Sequence, residues 1–206
     1  AGSHDDLIAA DDETIFTCHR GTSVRRSNYG GTIVAEFELE DYQLAYGALS
    51  PGGLLFSVLW NGNDEQDEIV ALDAQTLQLR HRFGRGLLNI AQQLTVVRDE
   101  LYVCDTNNHR LQVFSLTGEH RRSVTGEWQW PVLLCAVKDR LFLVEDPDDH
   151  ANVRGRRLLV LSLQGDVLQV VTHPTEPTAE FRAMLCFDHK LLARYYYYAE
   201  SLSPRR

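Results

Sequence analysis

The sequence predicts an all-β fold built from copies of one four-stranded unit. Three observations carry that reading: short strand-forming runs bounded by turn residues, their recurrence along the chain, and the lack of any helical period. In the clearest stretch, Leu101–Cys104 and Leu111–Phe114 are rich in aliphatic, β-branched and aromatic residues, while Asp105-Thr-Asn-Asn108 and Ser115–Gly118 carry turn chemistry. Leu94–Val97 and His120–Val124 flank this pair, giving a meander of four strands. One meander cannot bury both of its faces, so it needs neighbours of the same kind. The third strand recurs as Ile33–Phe37, Ile69–Leu72, Leu111–Phe114 and Leu158–Leu161, in steps of 36, 42 and 47 residues. The second recurs as Ile15–Cys18, Leu54–Ser57, Leu101–Cys104, Leu141–Val144 and Leu191–Ala193. No long window keeps apolar residues at i, i+3, i+4 and i+7, so almost no helix is expected. A four-stranded unit of roughly 40 residues, repeated radially, is the signature of a β-propeller.

The element-by-element reading is one domain, 1–206, with repeats at about 5–41, 42–86, 87–127, 128–174 and 175–206, the last partial. Repeat one holds strands at Leu7–Ala10, Ile15–Cys18 and Thr32–Leu39, with a long loop from His19 to Gly31. Repeat two holds Tyr42–Leu49, Leu54–Trp60, an acidic loop over Asn61–Glu68, Ile69–Leu72 and Leu77–Phe83. Repeat four holds Val132–Val137, Leu141–Glu145, a loop over Asp146–Arg157 that is acidic and then basic, Leu158–Ser162 and Val167–Val171. Trp128 and Trp130 precede it and are expected to wedge between blades, because aromatic rings contribute most when buried. Repeat five has Phe181–Phe187 and Lys190–Ala193, with Tyr195–Tyr198 as a further strand former. With no spare strand before Leu7, an exposed blade edge or a gap in the ring is expected. The chain then reads as a fragment of a longer propeller or as one partner in an assembly that completes it.

The run Leu101-Tyr-Val-Cys-Asp-Thr-Asn-Asn-His-Arg-Leu-Gln-Val-Phe114 resembles the NHL repeat, with Asn108, His109, Arg110 and Leu111 at the matching places. Leu158–Gly165 resembles the second half of that pattern, with Arg157 at the arginine position, and Glu68–Asp73 resembles it more weakly. The resemblance implies a propeller that serves as a binding platform for protein or RNA; a minority of the family are lyases. Within the repeat, Asp105 and Asn108 are expected to hydrogen-bond their own turn, and Arg110 to pair with a carboxylate or carbonyl of its blade.

Composition narrows the function. Net charge is −9, from 29 acidic and 20 basic residues, which disfavours nonspecific attraction to nucleic acid or anionic membrane. No apolar run approaches the roughly 20 residues of a membrane-spanning helix, and the start shows no signal-peptide pattern, so an intracellular, cytoplasmic chain is expected. Cys18, Cys104, Cys135 and Cys186 sit in apolar strands of different repeats and read as small buried hydrophobes. They show no zinc-ligand spacing. Asn61, Asn63, Asp64 and Asp67 supply oxygens for a cation, but not in the Asp-x-Asp-x-Asp-Gly order, and an exposed acidic loop is the favoured reading. Asp148, Asp149 and His150 lack further ligands at defined spacing. No metal or cofactor is expected. The eight histidines do not recur at one repeat position, and neither Gly-x-Ser-x-Gly nor His-Glu-x-x-His occurs, so the noncatalytic reading is favoured and no catalytic residue is assigned.

Loop lengths point to a binding face. Loops between second and third strands, with the blade connections, project from one face and vary widely, whereas the turns on the other face are short. Arg20, Arg25, Arg26, Tyr29, His109, Arg154, Arg156 and Arg157 are the expected binding residues of that face. A protein or peptide is the favoured partner and RNA the alternative; a propeller lyase or hydrolase ranks below both, and self-association or a completing chain is allowed by the open edge.

Overall fold

The computed structural model describes residues 5–19, 21–39, 42–60, 66–145, 157–171, 180–187 and 190–196. The first blade joins β1 (Asp5–Ala10), β2 (Thr14–His19), β3 (Ser23–Asn28) and β4 (Ile33–Glu38). The second joins β5 (Gln43–Leu49), β6 (Leu54–Trp60), β7 (Asp67–Asp73) and β8 (Leu79–Leu88). The third joins β9 (Ala91–Val97), β10 (Glu100–Asp105), β11 (Arg110–Ser115) and β12 (His120–Val124). The fourth joins β13 (Pro131–Val137), β14 (Arg140–Glu145), β15 (Arg157–Leu161) and β16 (Val167–Val171). A fifth sheet has two strands, β17 (Glu180–Phe187) and β18 (Lys190–Tyr196). Every sheet is an antiparallel meander in chain order. The first strands lie innermost, each beside the first strand of the next blade, so the sheets radiate from a common axis. They do not close into a ring: β17 and β18 pair only with each other among the described residues. One 3₁₀ turn, Thr106–Asn108, is the only helical element there.

Blade two shows why the meander needs neighbours. Along β6, Leu55 and Leu59 join Phe16, Val24, Val70 and Leu72 in the seam with blade one. The alternate residues Phe56 and Val58 join Ile69, Ala71, Leu101 and Phe114 in the seam with blade three. Both faces are buried, so β6 and β7 are near-continuous apolar runs, and each such Leu or Phe contributes roughly 1.5–3 kcal/mol. A third seam packs Tyr102, Leu111 and Val113 against Leu134, Leu143 and Leu159, with Trp128 wedged among them at 2% exposure. Cys18, Cys104 and Cys135 are buried in this apolar packing.

One stretch departs from the sequence expectation. The region read as a long loop from His19 to Gly31 contains β3, and Ile33–Glu38 is the fourth strand of its blade, not the third. The physical reason lies in the blade's position. Among the described residues only one face of blade one meets another blade, so β3 needs a single buried apolar side chain, Val24, among serines and arginines.

At the other end of blade three an acid-sensitive network forms. The Arg122 guanidinium donates to both Glu100 carboxylate oxygens at 2.5 and 2.8 Å, and the Tyr102 hydroxyl donates to Glu100 at 3.0 Å. The bonds from Arg122 hold the Glu100 carboxyl down to about 2, while burial, then the bond to Glu100, pushes the Tyr102 hydroxyl up to about 12. A depressed carboxyl stabilises the fold above its unfolded value, and that stability fades as pH falls through the folded value. Stability should therefore decline between the ordinary value of 4.5 and about 2. Urea melts at neutral pH and at about pH 3 should show a smaller acid loss in Glu100→Gln than in the parent chain. Equal losses in both would exclude this network as the cause.

Candidate functional site

The antiparallel order brings the β2–β3, β6–β7, β10–β11 and β14–β15 loops, with the blade connections, to one end, the loop face; the remaining turns form the opposite end, the turn face. His109 stands on the loop face. It takes a left-handed conformation, φ 53°, and closes the 3₁₀ turn through its N–H to the Thr106 carbonyl at 3.0 Å. Its Nδ1 accepts the Trp130 backbone N–H at 3.3 Å, and the two rings meet edge-to-face at 4.5 Å. The other described members of the expected patch do not gather there. Strand alternation sends Arg25 and Arg26 to opposite sides of β3. Arg25 pairs with Glu36 at 2.7 Å, whereas Arg26 donates to Thr14 Oγ1 at 3.1 Å and reaches the Gln75 carbonyl of blade two at 3.0 Å. Tyr29 lies on the turn face, its hydroxyl donating to the Asp11 carbonyl at 2.7 Å. Arg20, Arg154 and Arg156 lie outside the described residues, as do Asn61, Asn63, Asp64, Asp148, Asp149 and His150. Asp67 is buried and accepts the Ala91 N–H; desolvation pushes its carboxyl up. No group of three or more His, Cys, Asp or Glu side chains suited to a metal occurs among the described residues.

Arg157 belongs to a repeated staple. In blade three, the fully buried Asp105 ends β10, pairs with Arg110 at the start of β11 at 2.7 Å, and accepts the Asn89 N–H from the preceding connection at 2.8 Å. Asn108 also donates to it at 2.9 Å. In blade four, Glu145 ends β14, pairs with Arg157 opposite it at the start of β15, and accepts the Gln129 N–H at 3.1 Å. Asn89 and Gln129 each stand two residues before the first strand of their blade. The acid, the arginine and the connection N–H thus tie each blade's middle hairpin to its own entry segment. Neither arginine is a free surface cation.

A recess on the loop face is a cleft of about 400 Å³ at the axis, lined by β1, β5, the end of β6 and Gln93 of β9. Its shape comes from irregular inner strands. All five carry a register shift in their pairing with the second strand, between Leu7 and Ala9, Ala45 and Gly47, Ala91 and Leu94, Pro131 and Leu133, and Phe181 and Ala183. Such bulges re-aim side chains at rims. In β5 the extra residue is Tyr46, at φ 52°, and Ser57 Oγ fixes the bulge by donating to the Ala45 and Tyr46 carbonyls at 3.1 and 2.8 Å. Gly47 follows because a Cβ there would sit 3.0 Å from Ile8 of β1. The Tyr46 ring meets Trp60 edge-to-face at 5.9 Å, and Trp60 Nε1 donates to the Ala91 carbonyl at 2.7 Å. Gln93 Oε1 accepts the Leu134 N–H at 3.1 Å, which leaves its amide N–H₂ as a donor. The cleft thus offers an aromatic pair, apolar Leu44 and Ile8, the Gln43 and Gln93 amides and the Asp6 carboxylate. That lining suits an amide-rich, partly apolar ligand. The sequence reading missed Tyr46, Trp60 and Gln93; its one available signal was Gly47 inside an otherwise regular strand.

Fold and cleft together define a propeller-type repeat protein with a recess at its axis. More particularly, the NHL repeat model matches residues 88–114, the stretch that carries the Asp105–Arg110 staple. Among solved structures, a protein of unknown function from Bacteroides caccae is similar at TM-score 0.65 and 10% identity, over 91% of this chain and 68% of that one. BamB from Moraxella catarrhalis is similar at TM-score 0.61 and 11% identity, over 91% and 53%. The WD40 repeats of RRP9 are similar at TM-score 0.62 and 15% identity, over 84% and 52%. The chain therefore spans between half and about two thirds of the length of these solved chains. No curated protein matches it. No helix among the described residues is long and apolar enough to cross a membrane.

Proposed function

We propose that the chain acts as one noncatalytic interaction domain that takes an extended peptide segment of a partner protein across its loop face and into the axial cleft. The carrying observation is the cleft itself, where the Tyr46–Trp60 pair stands beside the Gln43 and Gln93 amides. Aromatic rings bind apolar side chains at low entropic cost, while amides match the donors and acceptors of a peptide backbone. Propellers serve widely as interaction scaffolds, which is consistent with this reading. His109, half-exposed on the same face, is a secondary contact. The RNA alternative draws less support, because Arg25, Arg26, Arg110 and Arg157 are each engaged within the fold.

Panning a displayed random octapeptide library against the chain tests the proposal. Selected peptides should bind Gln43→Ala and Tyr46→Phe roughly tenfold more weakly, the scale of one lost hydrogen bond, with melting unchanged. Selection of no peptide, or of peptides indifferent to both substitutions, would overturn it, and tight binding of single-stranded oligonucleotides instead would favour the alternative.

A further inference from the structure

The outer rim of the fold holds one blade edge unlike the others. The outermost strands of the first three blades are charged: Glu36 and Glu38 in β4, Arg80, Arg82 and Arg85 in β8, Arg121 and Arg122 in β12. Charges of this kind protect an edge, because a second edge laid against it meets like charge. β16 reads Val167-Leu-Gln-Val-Val171 and contains none. Leu168 is 50% exposed, Val170 46% and Val167 38%. Among the described residues β16 pairs only with β15, and no described strand lies along the other side of its backbone.

From this edge we infer that β16 pairs with β16 of a second copy of the chain, antiparallel about a two-fold axis through Gln169. The sequence is self-complementary in that register. Leu168 meets Val170 of the other copy, Val167 meets Val171, and the two Gln169 amides face each other. Apolar and β-branched cross-strand pairs stabilise an antiparallel ladder, and an isologous contact closes as a dimer instead of propagating. A two-fold axis through Arg122 of β12 would oppose two arginines, and one through Glu36 of β4 two glutamates, which is why the second copy selects β16. Five residues a side bury far less than the roughly 1,200 Å² of a stable interface, so the dimer is weak and concentration-dependent. Each copy carries a net charge of −9, so the copies repel at long range and salt, by screening that repulsion, tightens the dimer.

Sedimentation equilibrium at low and at high sodium chloride tests the inference on the full chain, with Gln169→Lys and Val170→Lys as variants. Both positions are exposed, so folding is retained, and Gln169→Lys sets two ammonium groups against each other on the axis. The parent chain should show a monomer–dimer equilibrium that shifts toward dimer with salt, and both variants should stay monomeric in both salts. Amides of β16 should gain protection from exchange as protein concentration rises. A parent chain that is monomeric at every concentration overturns the inference. So does a dimer that survives both substitutions, or one that is instead abolished by Val34→Lys on β4.

Discussion

Arg157→Glu is expected to destabilise the chain by about 3–5 kcal/mol, the usual result of leaving a buried carboxylate without its cation. Glu145 is 1% exposed and holds Arg157 across the β14–β15 hairpin, with the Gln129 N–H as its other described partner. Arg157 itself is partly exposed, but the penalty belongs to the carboxylate, which has no water to return to. A second carboxylate at position 157 adds repulsion to the loss. Arg25→Glu is the control: its pair with Glu36 lies at the surface, with Arg25 partly and Glu36 more fully exposed, and contributes about 0–1 kcal/mol. Urea melts of the two variants at neutral pH make the comparison, and equal midpoints would mean that the staple does not hold blade four. Replacing Glu145 and Arg157 together by leucine should recover much of the loss, since an apolar pair leaves no unpaired buried charge.

Phe114→Ala should lose a similar amount, about 3–5 kcal/mol, through a cavity in the seam between blades two and three. Phe114 is fully buried, with Phe83 5.2 Å and His120 5.4 Å from it and Phe83 in turn 6.3 Å from Phe56. The turn at Gly118 presses on the same ring: at φ 89°, a Cβ there would lie 2.7 Å from Phe83. Each seam involves only adjacent blades, so the loss should be local before it is global. Hydrogen exchange should accelerate first in β8, β11 and β12, with β2 and β3 retaining protection at the same denaturant concentration. Uniform acceleration across all blades would show instead that the propeller unfolds as one unit.

By itself the sequence determined the meander, its repetition and the packing of the middle blades. Those depend on local turn chemistry and on apolar runs such as Leu54–Leu59 and Leu101–Cys104, which need no knowledge of the rest of the chain. It also made Asp105, Asn108 and Arg110 legible as blade-forming residues, because a short polar turn between two strands leaves them few partners but each other. It could not reveal β3, whose single buried apolar side chain, Val24, is too weak a pattern against five polar neighbours. Nor could it show which cations are committed. Arg25, Arg26 and Arg157 look alike in sequence, yet one pairs at the surface, one spans two blades and one neutralises a buried acid. The axial cleft was decided by tertiary structure alone. Tyr46, Trp60 and Gln93 meet only when bulged inner strands of successive blades converge on an axis, and that convergence is set by packing between repeats, which no single repeat encodes.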